Sequence, residues 1–256
     1  GTNIYHEIHF GAAKILCQSI ISSYSHGVMW IELPDRAVRT LSVTTEHILG
    51  DPGVYPPLAC QVTLTEEVES AGTSTTRIIY EIKTIQSPKS SAEMQRKFEG
   101  AIGASFELLL SERGCILGAP KTDGSGPLWL LSSLGEDLRT ALVVPDQAEF
   151  EIGTTWQERP AMPRDMPDDI QSASAKAQHR VTSIDGDWLE IQSAFELSLK
   201  LTERGSRGPL HGGGKQKARL HRTQGIVEAH KETRVLANLA SGPEPAAILS
   251  MKLKVL

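Results

Sequence analysis

Residues 208–225, GPLHGGGKQKARLHRTQG, place a histidine, three glycines and a lysine in succession. Such a stretch can cradle a phosphate, form an oxyanion hole or turn the chain. A phosphate loop of the GxxxxGK[ST] type needs a glycine five positions before its Gly-Lys pair and a hydroxyl directly after it. Pro209 and Gln216 occupy these two positions. The spacing therefore excludes a phosphate loop.

The HGGG segment also occurs in lipase-like hydrolases, where it precedes a GxSxG nucleophile elbow. No GxSxG follows it in this chain. The nearest fragment, SYSHG at residues 23–27, begins with serine and lies far upstream. An oxyanion hole is therefore excluded as well, and the three glycines are expected to form a flexible entry into a hairpin.

Histidine and cysteine spacings match no metal site. The HEIH segment has one residue fewer between its histidines than HExxH, and on a strand His6 and His9 point to opposite faces. Cys17, Cys60 and Cys115 form no CxxC pair. We expect no catalytic residue, no metal site and no cofactor. A Cys60–Cys115 disulfide is one alternative, and buried reduced thiols are the favoured one.

Four residues that alternate along the same stretch form what we call the basic stripe: Lys215, Lys217, Arg219 and His221. On a strand they share one face. A turn over residues 222–225 predicts the cross-strand pairs His221–Ile226, Arg219–Glu228, Lys217–His230 and Lys215–Glu232. Two of these pairs carry opposite charge, which favours an exposed, charge-paired sheet face that can meet a partner. An anionic-ligand site is the alternative.

The elements that must carry these residues are mostly strands. Apolar–polar alternation and β-branched residues predict a mainly antiparallel β protein with one or two short helices. Hairpin turns are expected at Ala71-Gly72, Gly114 and Asp185-Gly186.

One helix is predicted over residues 127–140, although Gly135 weakens it. Its apolar residues form a candidate contact surface for a ligand or for the sheet: Leu128, Trp129, Leu131, Leu134 and Leu138.

The order hairpin, loop, glycine-bracketed hairpin occurs twice along the chain. Gly103 and Gly114 bracket the first such hairpin, and Gly214 and Gly225 bracket the second at the same spacing. This predicts an internal duplication into two related β units. The expected organisation is an N-terminal segment packing on the first unit (1–57), the first unit with its helix (58–158), a linker or loop (159–176) and the second unit (177–256).

The net charge and the composition of the chain argue against further classes of protein. A net charge of −5 and an aromatic content of 5% argue against a nucleic-acid binder. No apolar run approaches the roughly 20 residues of a transmembrane helix. The first residue is Gly1 rather than methionine, which suggests a processed protein that is exported (periplasmic or extracellular) or targeted to an organelle.

The later part of the chain carries a weak set of motif residues: Pro145, Gly153, Trp156, Asp185, Gly186, Gly214 and Gly225. With these residues the segment 58–256 resembles a loosely defined group of uncharacterised, exported, β-rich bacterial proteins. The resemblance implies a sheet-based fold and a secreted or envelope setting. It transfers no activity, because that group has no known activity.

No catalytic motif matches in spacing, and the order of hairpins repeats along the chain. Together these observations favour a non-catalytic protein. The leading hypothesis is a structural or assembly protein that meets protein partners, or copies of itself, through sheet faces and edges. The alternative is a carrier that binds an apolar small molecule between a curved sheet and the helix at 127–140.

Overall fold

The computed structural model describes residues 31–49, 58–72, 74–88, 90–112, 114–123, 128–145, 150–159, 170–201, 210–239 and 242–256. Within these ranges the fold is mainly β, as the alternation of residue types predicts. One sheet of eleven antiparallel strands is accompanied by two short helices.

The first half of the chain supplies five strands and both helices: β1 (Val38–Leu49), β2 (Leu58–Ser70), β3 (Thr75–Gln86), α1 (Ala92–Glu99), β4 (Ser105–Ser111), β5 (Lys121–Thr122) and α2 (Leu128–Ala141). The second half supplies six strands: β6 (Thr155–Glu158), β7 (Ile170–Asp185), β8 (Trp188–Leu201), β9 (Leu210–His221), β10 (Gly225–Leu239) and β11 (Gly242–Val255).

The sheet consists of two meanders joined edge to edge. Its strand order is β5-β4-β3-β2-β1-β11-β10-β9-β8-β7-β6. Strand β1, which belongs to the predicted N-terminal segment, is thus a central strand between β2 and β11. Strand β7 begins at Ile170, so it extends into the segment predicted as a linker, of which residues 160–169 lie outside the described ranges. The two-unit division and the internal duplication stay predictions.

Glycines with positive φ form the predicted turns. Gly72 (139°) lies between β2 and β3, and Gly186 (57°) lies between β7 and β8. Gly114 (78°) turns the chain after β4. The strand expected after Gly114 is reduced to a single bridge between Leu110 and Ile116, so the strand–turn–strand prediction was wrong in its second strand.

The sheet is curled around α2. This helix contacts β4 and β5 as well as β9, and six strand spacings separate β4 from β9 in the sheet. In a flat sheet that separation is about 29 Å, whereas a helix with its side chains is about 10–12 Å wide. One face of the sheet therefore surrounds α2, and we call it the inner face; the opposite one is the outer face.

Alternate strand residues fill the inner face. Leu41, Val62, Tyr80, Phe106 and Leu220 are fully buried in one cluster that draws on both meanders. The rings of Tyr80 and Phe106 stack with their centroids 5.2 Å apart. The core is therefore shared by both halves of the chain.

A short segment before β1 closes one end of the curled sheet. Ile31 packs on Gly114, where a Cβ atom would lie 2.6 Å from the Ile31 Cβ atom. The Glu32 backbone N–H donates to the Arg222 carbonyl at 2.8 Å, and the two side chains form an ion pair at 2.9 Å. Leu33 packs on Gly225. Residues 31–33 thus join the turn after β4 to the turn between β9 and β10.

A buried ion pair lies near the same end. The Arg39 guanidinium donates two hydrogen bonds to Glu66, at 2.5 and 3.0 Å, and Glu66 is 2% exposed. Burial, and then the negative charge of Glu66, raise the pKa of the Tyr80 hydroxyl. The pair places two charges within an otherwise apolar part of the inner face.

Two of the three cysteines are described, and they do not form a disulfide with each other. Cys60 is buried, with its Sγ atom 3.0 Å from Thr45 Oγ1, and burial raises the pKa of its thiol. Cys115 is partly buried. The favoured expectation of a buried, reduced thiol is confirmed for Cys60, the Cys60–Cys115 disulfide does not form, and Cys17 lies outside the described residues.

Candidate functional site

Helix α2 places its apolar residues against the inner face, and its bounds match the predicted 127–140 within one residue. Leu131, Leu134 and Leu138 of the predicted contact surface are fully buried in the core. The side chains of Leu128 and Trp129 lie outside the described part of the molecule. The helix itself thus occupies the concave space of the sheet.

Gly135, which was expected to weaken the helix, lets α2 approach the sheet closely. A Cβ atom at this position would lie 2.7 Å from Pro120 Cβ and 3.4 Å from Phe106. The first distance is too short for an undisturbed contact. A glycine is therefore required here by packing rather than by backbone conformation.

Polar contacts fix the C-terminal half of α2. The Gln216 side-chain amide on β9 donates to the Thr140 carbonyl at 2.7 Å, and the Thr140 hydroxyl donates to Gln216 Oε1 at 3.3 Å. Lys231 on β10 donates to Asp137 at 2.8 Å. Arg139 donates to Glu158 on β6 at 3.3 Å.

A polar cluster lies beside these contacts, around His179 on β7. This histidine is fully buried, its Nδ1 atom lies 2.8 Å from Ser193 Oγ, and its ring stacks on Trp156 at 5.0 Å between centroids. Burial, and then the charge of Arg139, lower the pKa of His179 to about 4. The imidazole is therefore neutral at pH 7.

Ser193, His179 and Glu158 are the residue types of a nucleophilic triad. However, His179 Nε2 lies 3.9 Å from Glu158 Oε1, which is beyond hydrogen-bond distance. Ser193 is only 5% exposed, so a substrate has little access to its hydroxyl. These distances and this burial favour a structural hydrogen bond between Ser193 and His179.

In the same cluster, burial and a neighbouring charge shift the pKa of Glu136 in opposite directions. Burial raises the pKa of Glu136, and Arg139, which donates to it at 2.7 Å, counteracts this shift. Two buried nitrogen atoms, Arg139 Nη2 and His179 Nε2, have no hydrogen-bond partner among the described residues. The inner face thus retains unused hydrogen-bonding capacity next to α2.

The basic stripe lies on the outer face, on β9. Strand β10 pairs with it at Arg219–Glu228, Lys217–His230 and Lys215–Glu232, which confirms three of the four predicted pairs. The prediction for His221 was wrong: it faces Gly225 instead of Ile226. The register shifts between Ile226 and Glu228 because an extra residue bulges out of β10 there.

The side chains of the stripe contact β8. Lys217 pairs with Glu190 at 2.9 Å. The Arg219 guanidinium lies 4.0 Å from the ring centroid of Trp188, and His221 meets the same ring edge-on. The stripe is therefore partly neutralised, by contacts that the sequence did not predict.

A groove of about 650 Å³ lies on the outer face over β6–β10. Two stripe residues, Lys215 and Lys217, line it together with Arg180 and His230. Arg219 and His221 lie outside this lining. The structure thus brings half of the stripe into a concave surface with a cation from β7.

The HGGG segment is part of strand β9, not a flexible entry loop, so that expectation was wrong for residues 210–214. A Cβ atom on Gly212 would lie 2.7 Å from the Arg234 carbonyl oxygen, and one on Gly214 would lie 2.7 Å from Thr233 Oγ1. The glycines allow β10 to approach closely. Phe195 faces Gly214 from the neighbouring strand.

Sequence reasoning missed His179, Arg139, Gln216 and Arg180. One signal was available: His179 lies between Ala177 and Val181 in the apolar alternation of β7, so a polar residue was assigned to the buried face. Nothing comparable marks Arg180, because its place on the exposed face is ordinary for a cation.

Within the described ranges, no group of three or more His, Cys, Asp or Glu side chains is arranged to hold a metal ion. His6 and His9 lie outside those ranges. No described helix is both long and apolar enough to cross a membrane.

Comparison with known proteins gives no family. No protein-family model and no curated protein matches the chain. A lipovitellin structure, titled for lipid–protein interactions, aligns with 88% of this chain at a TM-score of 0.46 and 11% identity, and the chain spans only 25% of its length. DynF, from the dynemicin biosynthesis pathway of Micromonospora chersina, aligns with 93% of this chain and with 89% of the DynF chain. The TM-score of this alignment is 0.24 and the sequence identity is 10%. Values this low assign neither family nor function.

Proposed function

We propose that the chain is a carrier that binds an apolar ligand against the inner face of its curled sheet, in the space that α2 occupies. The observation that carries the proposal is the placement of α2: its leucines are buried across an open sheet whose edges are β5 and β6. A helix in that position covers an apolar surface and can be replaced there by a ligand of similar polarity.

The two halves of α2 are attached differently. Its C-terminal half is held by directed hydrogen bonds to three strands: Asp137 and Thr140 accept from Lys231 and Gln216, and Arg139 donates to Glu158. The described contacts of Leu130, Leu131 and Leu134 are apolar. Apolar contacts are non-directional, so another apolar group can take their place with little loss. The helix can therefore swing on its C-terminal anchor while its N-terminal half leaves the sheet.

Unused polar atoms supply a place for a head group. Arg139 Nη2 and His179 Nε2 are buried without a partner among the described residues. A hydroxyl or carboxyl group can accept a hydrogen bond from Arg139 there, and unpaired buried donors are costly when left so. This favours an amphiphile with an apolar tail over a plain hydrocarbon.

The short edge strands of the sheet argue against the other hypothesis, which is assembly through strand pairing. Edge strand β5 has two residues and edge strand β6 has four. Short edge strands offer little surface for adding a strand from another copy. A structural or assembly role stays a prediction.

A disulfide that locks α2 to the sheet tests the carrier directly. A Cβ atom at Gly135 would lie 2.7 Å from Pro120 Cβ, so Gly135→Cys with Pro120→Cys needs a shift of about 1 Å to reach disulfide geometry. Cys17→Ser and Cys115→Ser remove competing thiols. We expect cis-parinaric acid to bind the reduced variant and not the oxidised one.

The same protein, reduced again, is the matched control. Recovery of probe fluorescence after reduction shows that the closed helix, not damage to the fold, blocked the site. Equal binding by the oxidised and reduced forms overturns the proposal. So does the absence of binding by the wild-type chain to amphiphiles in native mass spectrometry.

A further inference from the structure

The outer face carries a row of polar side chains that crosses five strands and contains three Lys or Arg residues. Arg180, Gln192, Lys217, His230 and Lys252 occupy register-matched positions on β7 to β11. All five side chains are exposed. Four strand spacings give the row a length of about 19 Å. We call these residues the cationic row; no carboxylate belongs to it.

The neighbouring row on the same face is different. There Glu190, Arg219, Glu228 and Lys254 alternate in charge across the same strands. Opposite charges on adjacent strands stabilise a sheet, and like charges directly opposite each other destabilise it. In the cationic row, His230 faces Lys217 on one side and Lys252 on the other. The cationic row therefore lacks the directly opposed carboxylates of its neighbour.

The groove described above lies over this row. Besides Arg180, Lys217 and His230, it is lined by Lys215, by the carboxylate Glu232 and by the uncharged donors Thr155, Gln178 and Gln192. A volume of about 650 Å³ is within the ordinary range for small-molecule sites.

The carboxylates near the groove already have partners. Glu190 pairs with Lys217, and Glu232 pairs with Arg234 at 2.9 Å. Arg180, Lys215 and Lys252 form no ion pair with any carboxylate in the described ranges. Arg180 and Lys215 therefore remain available within the groove, and Lys252 remains available on the outer face beside it.

We propose that this groove binds a ligand through its phosphate group. The Arg180 guanidinium can donate two parallel hydrogen bonds to phosphate oxygens, and Lys215 adds a compact positive charge. Lys217 can exchange its exposed ion pair with Glu190, which contributes little stability, for the phosphate. Thr155 and the two glutamines supply neutral hydrogen bonds. The groove is also lined by His179, Ser193 and Gln216 of the inner face, but the cations that would bind the phosphate are exposed on the outer face, so the proposal does not rest on the carrier.

The test compares two triple variants of equal net charge. Arg180→Gln/Lys215→Gln/Lys217→Gln removes three cations of the groove. Lys83→Gln/Lys97→Gln/Lys121→Gln removes three exposed cations of the first half of the chain. Titration calorimetry with inorganic pyrophosphate is expected to show at least tenfold weaker binding for the groove variant and an unchanged affinity for the control.

Vesicles of phosphatidylcholine containing phosphatidic acid provide the second arm, measured by co-sedimentation. Binding of pyrophosphate alone identifies a soluble phosphate compound, and binding of the vesicles identifies a lipid head group; a tenfold loss in the groove variant supports the site in either arm. Binding in neither arm overturns the proposal. An equal loss in the control variant also overturns it, since that reflects only the net charge. Binding of cis-parinaric acid by the groove variant should be unchanged.

Discussion

Thr140 and Gln216 hold each other by two hydrogen bonds across the contact between α2 and β9. Gln216 Nε2 donates to the Thr140 carbonyl oxygen at 2.7 Å, and the Thr140 hydroxyl donates back at 3.3 Å. Both residues are buried. The pair therefore sets the distance between α2 and β9.

Replacing Gln216 with methionine keeps the volume of the side chain and removes its hydrogen bonds. The Thr140 carbonyl then remains buried without this donor, so we expect a loss of about 1–3 kcal/mol in the free energy of unfolding. Urea denaturation measures it. Gln192→Met, on the exposed face of the adjacent strand, should change stability by less than about 0.5 kcal/mol. Equal effects of the two substitutions would contradict the role given to the pair.

Gly135→Ala sets two effects against each other. Alanine is better than glycine within a helix by about 1 kcal/mol, but its Cβ atom would lie 2.7 Å from Pro120 Cβ, and overpacking costs about 1–3 kcal/mol. We expect net destabilisation by up to about 2 kcal/mol. In a double-mutant cycle, Pro120→Gly should restore the gain from alanine. If the two substitutions are additive, the contact is not what requires the glycine.

The buried pair of Arg39 and Glu66 should respond asymmetrically. Glu66→Gln leaves the Arg39 charge buried without its counter-ion, and we expect a loss of about 3–5 kcal/mol. Replacing both residues, Arg39→Met with Glu66→Leu, should recover most of it. Glu81→Gln, which removes an exposed partner of Lys83, serves as the control and should cost less than about 1 kcal/mol. Thermal and urea unfolding provide the comparison.

His179 should make stability depend on pH. Its pKa is lowered from 6.5 to about 4 in the folded chain, so between these values only the unfolded chain takes up the proton. The stability that the neutral ring contributes is complete above pH 6.5 and is lost as the pH falls toward 4, by up to about 3 kcal/mol.

The difference in unfolding free energy between the wild type and His179→Gln isolates this group. It should be constant above pH 7 and should shrink toward pH 4. Gln192→Met, which changes no titratable group, should differ from the wild type by the same amount at every pH. A constant difference across the whole range for His179→Gln would exclude the shift.

The sequence predicted those secondary-structure elements whose residue pattern repeats every few positions. Alternation predicted the strands, Asp185-Gly186 predicted its hairpin, and the leucine spacing predicted α2. The pairs Arg219–Glu228 and Lys217–His230 also followed from alternation and one turn. The His221 pair failed because a one-residue bulge is decided by the packing of the whole sheet, which no local pattern encodes.

The residues of the candidate sites could not be predicted from local patterns, because they come together only in the folded sheet. Arg139 and His179 are distant in the sequence and meet only because α2 crosses the inner face. Arg180 and Lys217 meet only through the order β7-β8-β9. The glycines of HGGG looked like a loop because glycine is common in turns, whereas their actual reason is close approach between two strands.

The pairing of β1 with β11 has a consequence for synthesis of the chain. Leu41 meets Val255, so the central seam of the sheet joins residues about 200 positions apart. Until β11 leaves the ribosome, β1 presents a long unpaired edge, and such edges recruit wrong partners. Contacts at this separation also slow folding. Removing β11 should therefore leave an aggregating chain, not a smaller stable sheet, and dependence on chaperones should persist until β11 is available to pair.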